Sequence, residues 1–318
     1  MTKKLYEYAM DDTFDIFLLI ESSKARTAKN NKQFLALTFR DKSGKMDGKY
    51  WDASDQDIET FQAGEIVHVS GKRESFNGSP QLRINSMRLS EGAEPHNVED
   101  FVEDAPIETE DAVNELNEYL AEITNENYHN IVKFLLNKHY DEYITSPAAK
   151  RLHHAYAGGL IFHTLSILRL EKTIIPLYEG INPSLLYAGT ILHDLGKIKE
   201  MSGPVNTEYT LEGNLIGHIV IGVEEIDEAC RELGIDTSAE DIILLKHVIL
   251  SHHGQLEYGS PKRPVLLEAG ILHALDDLDA SITMVTEELA KTEAGKFSSR
   301  LFGMDNRSYY KPSDDVQK

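Results

Sequence analysis

From Thr13 to about Leu89 the chain alternates apolar and polar residues in short runs broken by turn formers. Alternation puts every second side chain on one face, which is the pattern of a half-buried strand. Five strands are therefore expected, at Phe14–Ile20, Gln33–Arg40, Gly48–Ala53, Ile66–Lys72 and Gln81–Leu89. Lys42-Ser43-Gly44-Lys45 and Phe76-Asn77-Gly78-Ser79-Pro80 are rich in turn residues, and Asp55–Phe61 fits a short helix between the third and fourth strands. Further on, the period lengthens to that of a helix. Val113, Leu116, Leu120 and Ile123 share one face of Ala112–Thr124, and a second helix fits Asn127 to about Tyr140. Leu160–Ile175 is apolar all round, as a buried core helix must be. Pro183–Leu192, Leu215–Leu233, Ala239–His252 and Val265–Lys291 complete the set, whereas Lys199–Gly213 lacks a helical period and suits a loop or small hairpin.

Two periodicities in one chain of 318 residues imply two domains. Five strands with a helix after the third is the order of an OB-fold, a small Greek-key barrel that binds oligonucleotides. The expected organisation is multidomain: an all-β OB-fold barrel over 1–90, an acidic linker over 91–112, an all-α bundle over 113–295, and a polar tail over 296–318. Aromatic and basic residues scattered through that tail include Phe297, Arg300, Arg307, Tyr309, Tyr310 and Lys311. No apolar stretch approaches the roughly 18–20 residues that cross a bilayer, so no membrane partner is expected.

Net charge changes this picture only through its distribution. A balance of −21 argues against a polyanionic partner. Residues 1–95, however, hold 14 bases and 15 acids, while 96–128 hold 11 acids and no base. The barrel is near neutral, so nucleic acid remains open as its partner. Candidates for a binding face are Phe34, Phe39, Tyr50, Trp51 and Phe76, with Lys24, Arg26, Lys29, Lys32, Lys72 and Arg73. Phe34 and Phe39 are expected to fill the barrel. Trp51 and Phe76 stay open between filling it and stacking on bases, because one sequence does not set strand register.

The candidate chemistry lies in the helical half. His193-Asp194-Leu195-Gly196 is followed by Lys197 and ends an apolar helix. Imidazole nitrogen and carboxylate oxygen together suit Mn²⁺, Fe²⁺ or Zn²⁺. His163 and Asp276 lie on two other helices, so a bundle packing them inward could bring His163, His193, Asp194 and Asp276 to one cation. His218, His252 and His253 each sit at a helix end or beside a glycine, and could share Asp194 to hold a second. Two cations about 3.5–4 Å apart clamp a phosphorus centre for in-line attack. Lys197 could neutralise a phosphate oxygen. Arg151, His153 and His154, just before Gly158-Gly159, could face substrate or be structural. His247 and His273 are expected in the core, and His68, His96, His129 and His139 carry no partner pattern. Cys230 is the only cysteine, so no internal disulfide forms and a reducing cytoplasm is the natural compartment.

The array of His163, His193-Asp194, His218, His252-His253 and Asp276 resembles the HD-domain phosphohydrolases over about residues 148–291. The Asp-Leu-Gly-Lys step and the extra histidines look like its two-metal branch. Gly254 to Pro261 lack the Gly-Tyr-Pro of the cyclic-dinucleotide phosphodiesterases. An OB-fold ahead of such a domain, with Gly-Gly-Leu-Ile-Phe-His-Thr and Ser-His-His-Gly, is similar to the YhaM-type bacterial 3′→5′ exoribonucleases. That resemblance implies a metal-dependent 3′→5′ exoribonuclease that uses one or two divalent ions, Mn²⁺ preferred, and releases nucleoside 5′-monophosphates from single-stranded RNA. Trp51, Phe76, Lys72 and Arg73, read from the barrel's own aromatic and basic residues, are the candidate substrate contacts there, and single-stranded DNA and oligomeric state stay open. Two rival readings stand beside it. One is a nucleotide phosphohydrolase with a regulatory barrel; the other is a nucleic-acid-binding adaptor with an inactive helical domain.

Overall fold

Five strands close into a barrel in the order β1-β2-β3-β5-β4, the topology of an OB-fold. They are β1 (Thr13–Thr27), β2 (Gln33–Asp41), β3 (Gly44–Trp51), β4 (Ile66–Phe76) and β5 (Ser79–Leu89), with helix α1 (Asp55–Thr60) between β3 and β4. The computed structural model describes residues 3–28, 31–76, 79–102, 106–149, 156–203, 207–314 and 316. Strand β1 is twice as long as its hydrophobic pattern implies. Its first half pairs with β4, from Thr13↔Lys72 to Leu19↔Ile66, and its second half with β2, ending at Thr27↔Gln33. That second half is polar, so alternation alone stops at Ile20. A register shift between Ile20 and Ser22 lets the strand bend from one partner to the other.

Ile16, Leu18, Leu35, Leu37, Phe39 and Val69 fill the barrel. Phe39 lies where its pattern predicts, but Phe34 does not. Because side chains alternate, placing Leu35, Leu37 and Phe39 inside turns Phe34 outward. Residues 91–112 also differ from a free acidic spacer. A 3-10 turn at Val98–Phe101 packs against β1 and β2 and buries Phe101 and Val102, and a helix already begins at Thr109.

Contacts divide the chain into two compact units, Met1–Asp104 and Ala105–Lys318. Among the described residues the second holds ten helices. They are α2 (Thr109–Glu122), α3 (Glu126–Lys138), α4 (Tyr140–Thr145), α5 (Gly159–Ile174), α6 (Pro183–Leu192), α7 (Lys197–Glu200), α8 (Leu211–Leu215), α9 (His218–Leu233), α10 (Glu240–Ser251) and α11 (Leu267–Lys291). Helix α6 is the axis of this bundle. It packs on α2, α3, α5, α10 and α11, and every residue from Ser184 to Leu192 is buried. Such surroundings explain a helix with no polar face. Pro183 starts it, and the Asn182 side chain accepts the Leu185 N–H at 3.2 Å, satisfying one of its free donors. Each fully buried leucine in it contributes about 1.5–3 kcal/mol. Between α7 and α8 the chain makes a small hairpin, with Met201 bridging Tyr209.

A buried carboxyl sits behind α6. Glu171 on α5 is fully buried, and the Thr190 hydroxyl donates to its Oε1 at 2.5 Å. Burial pushes its acid group well above the ordinary value of 4.5, against the smaller downward pull of Thr190. The folded state therefore holds a proton that the unfolded chain releases first, so this group contributes stability at low pH that is lost as pH rises. Denaturant midpoints should fall between pH 5 and pH 8 in the native protein. Glu171→Gln should fall less over that interval, and equal falls in both proteins would contradict a buried neutral carboxyl.

Candidate metal centre

Helix α6 ends at Leu192 and delivers His193 and Asp194 to the middle of the bundle, where both are buried. Gly196 then lets the chain pass under the start of α9, since a Cβ there would lie 2.1 Å from the His218 carbonyl oxygen. Helix α5 brings His163, α9 opens with His218, the end of α10 supplies His252 and His253, and α11 brings Asp276. Gly254 adopts φ +74, and a Cβ on it would lie 2.3 Å from His273 Nε2, so the turn after the paired histidines requires glycine.

These side chains converge in two groups that share one carboxylate. His163, His193 and Asp194 offer ligand atoms within 4.8 Å of one another, and so do Asp194, His218, His252 and His253. Asp194 Oδ2 lies 3.3 Å from His193 Nε2 and 3.8 Å from His163 Nε2. Its Oδ1 lies 3.5 Å from His218 Nε2 and 3.8 Å from His252 Nε2. Asp276 Oδ1 joins the first group, 3.1 Å from His163 Nε2.

The outer nitrogen of every imidazole is occupied. Nδ1 of His193, His252 and His253 each bonds a backbone carbonyl, of Thr190, Ile249 and Tyr258 respectively, at 2.7 Å. A carbonyl only accepts, so Nδ1 carries the proton and the neutral ring presents a bare Nε2 to the centre. His218 Nδ1 bonds Glu200 Oε1 at 2.9 Å, and His163 Nδ1 bonds Asp279 Oδ2 at 2.7 Å. Nε2 of His193, His218 and His252 and Oδ1 of Asp194 are buried without a hydrogen-bond partner among the described residues. Unpartnered buried polar atoms are costly, and divalent cations ligated by these atoms would remove that cost. The donor set of imidazole and carboxylate fits a borderline divalent metal.

The electrostatics differ from group to group. Burial opposes ionisation of Asp194, but Lys197 and His193 beside it hold its carboxyl well below the usual range. Burial alone would lower His163, but its hydrogen bonds with Asp276 and Asp279 lift it to about 9. Burial, with His253 and His193 close by, pushes His252 well below its ordinary value.

The centre opens into a cleft of about 670 Å³ whose wall includes Lys197, Glu200, Tyr209, Tyr258, His273 and Asp277. Lys197 lines this cleft while its ammonium pairs with Asp194 Oδ2 at 2.6 Å. His273 is not a plain core residue: its Nδ1 bonds the His252 carbonyl at 2.9 Å and its ring faces the cleft. Arg151, His153 and His154 lie outside the described residues.

On the barrel, register decides which candidates face outward. Arg26, Phe34 and Trp51 form one cross-strand row over β1, β2 and β3, with Lys24, Ala36 and Lys49 in the row two residues away. Trp51 is 50% exposed and stacks on Phe34 at 4.7 Å, with Lys49 over its ring. Lys72 is partly exposed and pairs with Asp11 at 2.8 Å. Arg73 is engaged within its own unit, donating to the Tyr6 and Tyr8 carbonyls and lying over the Tyr6 ring. The Phe76 side chain and Lys29 lie outside the described residues.

Sequence reasoning missed Glu200 and Asp279, which hold the outer nitrogens of His218 and His163. A signal existed for Asp279, three residues beyond Asp276 and hence on the same helical face. Glu200, placed by the packing of α7 against α9, had none.

Known proteins carry the same parts. A family model described as HD domain matches residues 151–281, and one described as OB-fold nucleic acid binding domain matches 20–90. The 3′-5′ exoribonuclease YhaM of Listeria monocytogenes is 47% identical over 98% of this chain and 99% of its own length. Its counterparts in Listeria innocua and Listeria welshimeri are 46% and 47% identical over the same shares. With nearly half its residues identical along almost its whole length, the chain belongs to the YhaM family of 3′-5′ exoribonucleases.

Proposed function

We propose that this protein shortens single-stranded RNA from its 3′ end, releasing nucleoside 5′-monophosphates, with Mn²⁺ as the preferred ion. The observation that carries this reading is the pair of ligand groups sharing Asp194 at the base of a cleft. One cation would be held by His163, His193, Asp194 and Asp276, and a second by Asp194, His218, His252 and His253. Bound there, divalent ions would polarise the scissile phosphate and lower the pKa of water.

The protein's own residues do the rest. Glu200 and Asp279 orient the rings of His218 and His163, so that Nε2 faces inward before substrate arrives. Lys197, already within the centre, offers a positive charge to a phosphate oxygen of the substrate. On the barrel, Trp51 and Phe34 form a stacking platform flanked by Arg26, Lys24 and Lys49, where each stacked base contributes roughly 1–3 kcal/mol. Stacking needs splayed bases, so a duplex should be refused. A single buried thiol suits a cytoplasmic enzyme.

The test uses 5′-labelled hairpins with a 3′ overhang, one of RNA and one of DNA, incubated with Mn²⁺. The expected result is a ladder that shortens from the 3′ end of the RNA and stalls near the stem, with mononucleotide as the other product. Internal cuts as first products would refute the exonuclease reading. Exclusive hydrolysis of free nucleotides would assign the cleft to a nucleotide phosphohydrolase, and preference for the DNA arm would overturn RNA as substrate.

A further inference from the structure

The segment from Gly295 to Lys311 has no helical or strand period, yet it is folded. Phe297 bridges Tyr310 and Leu301 bridges Arg307, both antiparallel, and successive left-handed residues Asp305 and Asn306 turn the chain. Gly295 N–H bonds the Lys311 carbonyl at 2.9 Å, and Ser298 N–H bonds the Tyr309 carbonyl at 2.8 Å. The Lys311 ammonium bonds the Thr292 carbonyl at 2.8 Å, which ties the hairpin to the end of α11. Its tip reaches the metal cleft, where Gly303 forms part of the wall.

Two properties set this hairpin apart. Residues 105–318 hold 18 bases and 34 acids, but residues 296–311 hold four bases and one acid. It is a net-basic stretch on a strongly acidic unit, and it adjoins the cleft proposed as the site of phosphodiester cleavage. It also exposes large rings that an ordinary surface loop would bury or omit. Phe302 is 87% exposed and Phe297 69%, while Tyr310 packs against Phe297 at 5.2 Å. Arg300 is exposed and makes no ion pair with any other described residue. Exposed rings interleaved with arginine, next to a phosphate-processing centre, form the surface that binds a single strand: rings stack on bases and guanidinium groups meet phosphates.

We propose that the hairpin of residues 295–311 is a second single-stranded RNA-binding element, which holds the nucleotides just upstream of the 3′ end as that end enters the cleft. Phe302 provides the stacking face and Arg300 a phosphate contact. The proposal rests on the exoribonuclease reading, since the strand it holds is the one that reading puts in the cleft.

Phe302→Ala and Arg300→Ala, made separately in the full chain, test it. Binding of a short 5′-fluorescein oligoribonucleotide is followed by anisotropy in EDTA, across a range of salt. Phe302→Ala should weaken binding about tenfold, the loss of one stacked base. Arg300→Ala should reduce the slope of log affinity against log salt by about 0.7, the loss of one phosphate contact. Wild-type affinity in the first variant together with wild-type slope in the second would overturn the proposal. It would also fall if either variant abolished a self-association seen for the native chain by sedimentation, which would make the hairpin an interface between copies. Failure of the native protein to bind the strand or shorten it would sink the exoribonuclease reading instead, so the two failures are distinct.

Discussion

Asp194→Asn should reduce phosphodiester hydrolysis by about a thousandfold or more at saturating Mn²⁺, because several kcal/mol of transition-state stabilisation depend on metal placement. The reason is position. Asp194 is the one carboxylate common to both ligand groups, with Oδ2 turned to His193 and His163 and Oδ1 to His218 and His252. Without its charge the second group is left with three neutral imidazoles, while the first retains Asp276. Asparagine keeps the size of the side chain, so the buried pocket stays filled, although the Lys197 ammonium loses its anionic partner. The variant should remain folded, with a modest drop in melting temperature, and bind fewer metal ions per chain by elemental analysis. Full turnover in a variant that has lost metal would remove Asp194 from the reaction, and full metal content would remove it from the ligand set.

How much of this was readable beforehand follows from where each signal lies. His193 and Asp194 are adjacent, so a nitrogen and an oxygen ligand stand together at the end of a helix in the bare letters. His218 follows Gly217 and His253 precedes Gly254, but why glycine is needed in the turns of the site is visible only in three dimensions, as at Gly196 under His218 and Gly254 beside His273. The barrel's strands were readable wherever one face is buried. The polar half of β1 was not, since it is held by pairing with β2 rather than by a core. Phe34 was misplaced because alternation says that neighbours face opposite ways, not which way is in. His139 carried no pattern at all, yet its ring meets Glu225 at 2.7 Å across α3 and α9. The basic hairpin was invisible for the same kind of reason: two isolated bridges and a few backbone bonds leave no period in the sequence.

The outer layer of the centre gives the second large effect. Glu200 Oε1 accepts both the backbone N–H and the Nδ1–H of His218, at 3.0 and 2.9 Å, which fixes the ring's tautomer and its direction at once. Asp279 holds the Nδ1 of His163 at 2.7 Å and so orients the ring on the opposite group. Such partners are typically worth 10- to 100-fold in metal affinity. Glu200→Ala should therefore weaken Mn²⁺ binding by about a hundredfold, and Glu200→Gln by about tenfold, because the amide oxygen still accepts but the charge is gone. Titration calorimetry separates the two halves of the centre. If two ions bind, Glu200 variants should weaken one phase of the isotherm and Asp279→Asn the other. Weakening of a single common phase by both would mean one ion held by both groups, and Mn²⁺ affinity unchanged in Glu200→Ala would mean that His218 is not a ligand. Because the readout is binding in the absence of RNA, it reports on the ligands alone and owes nothing to how the strand is held.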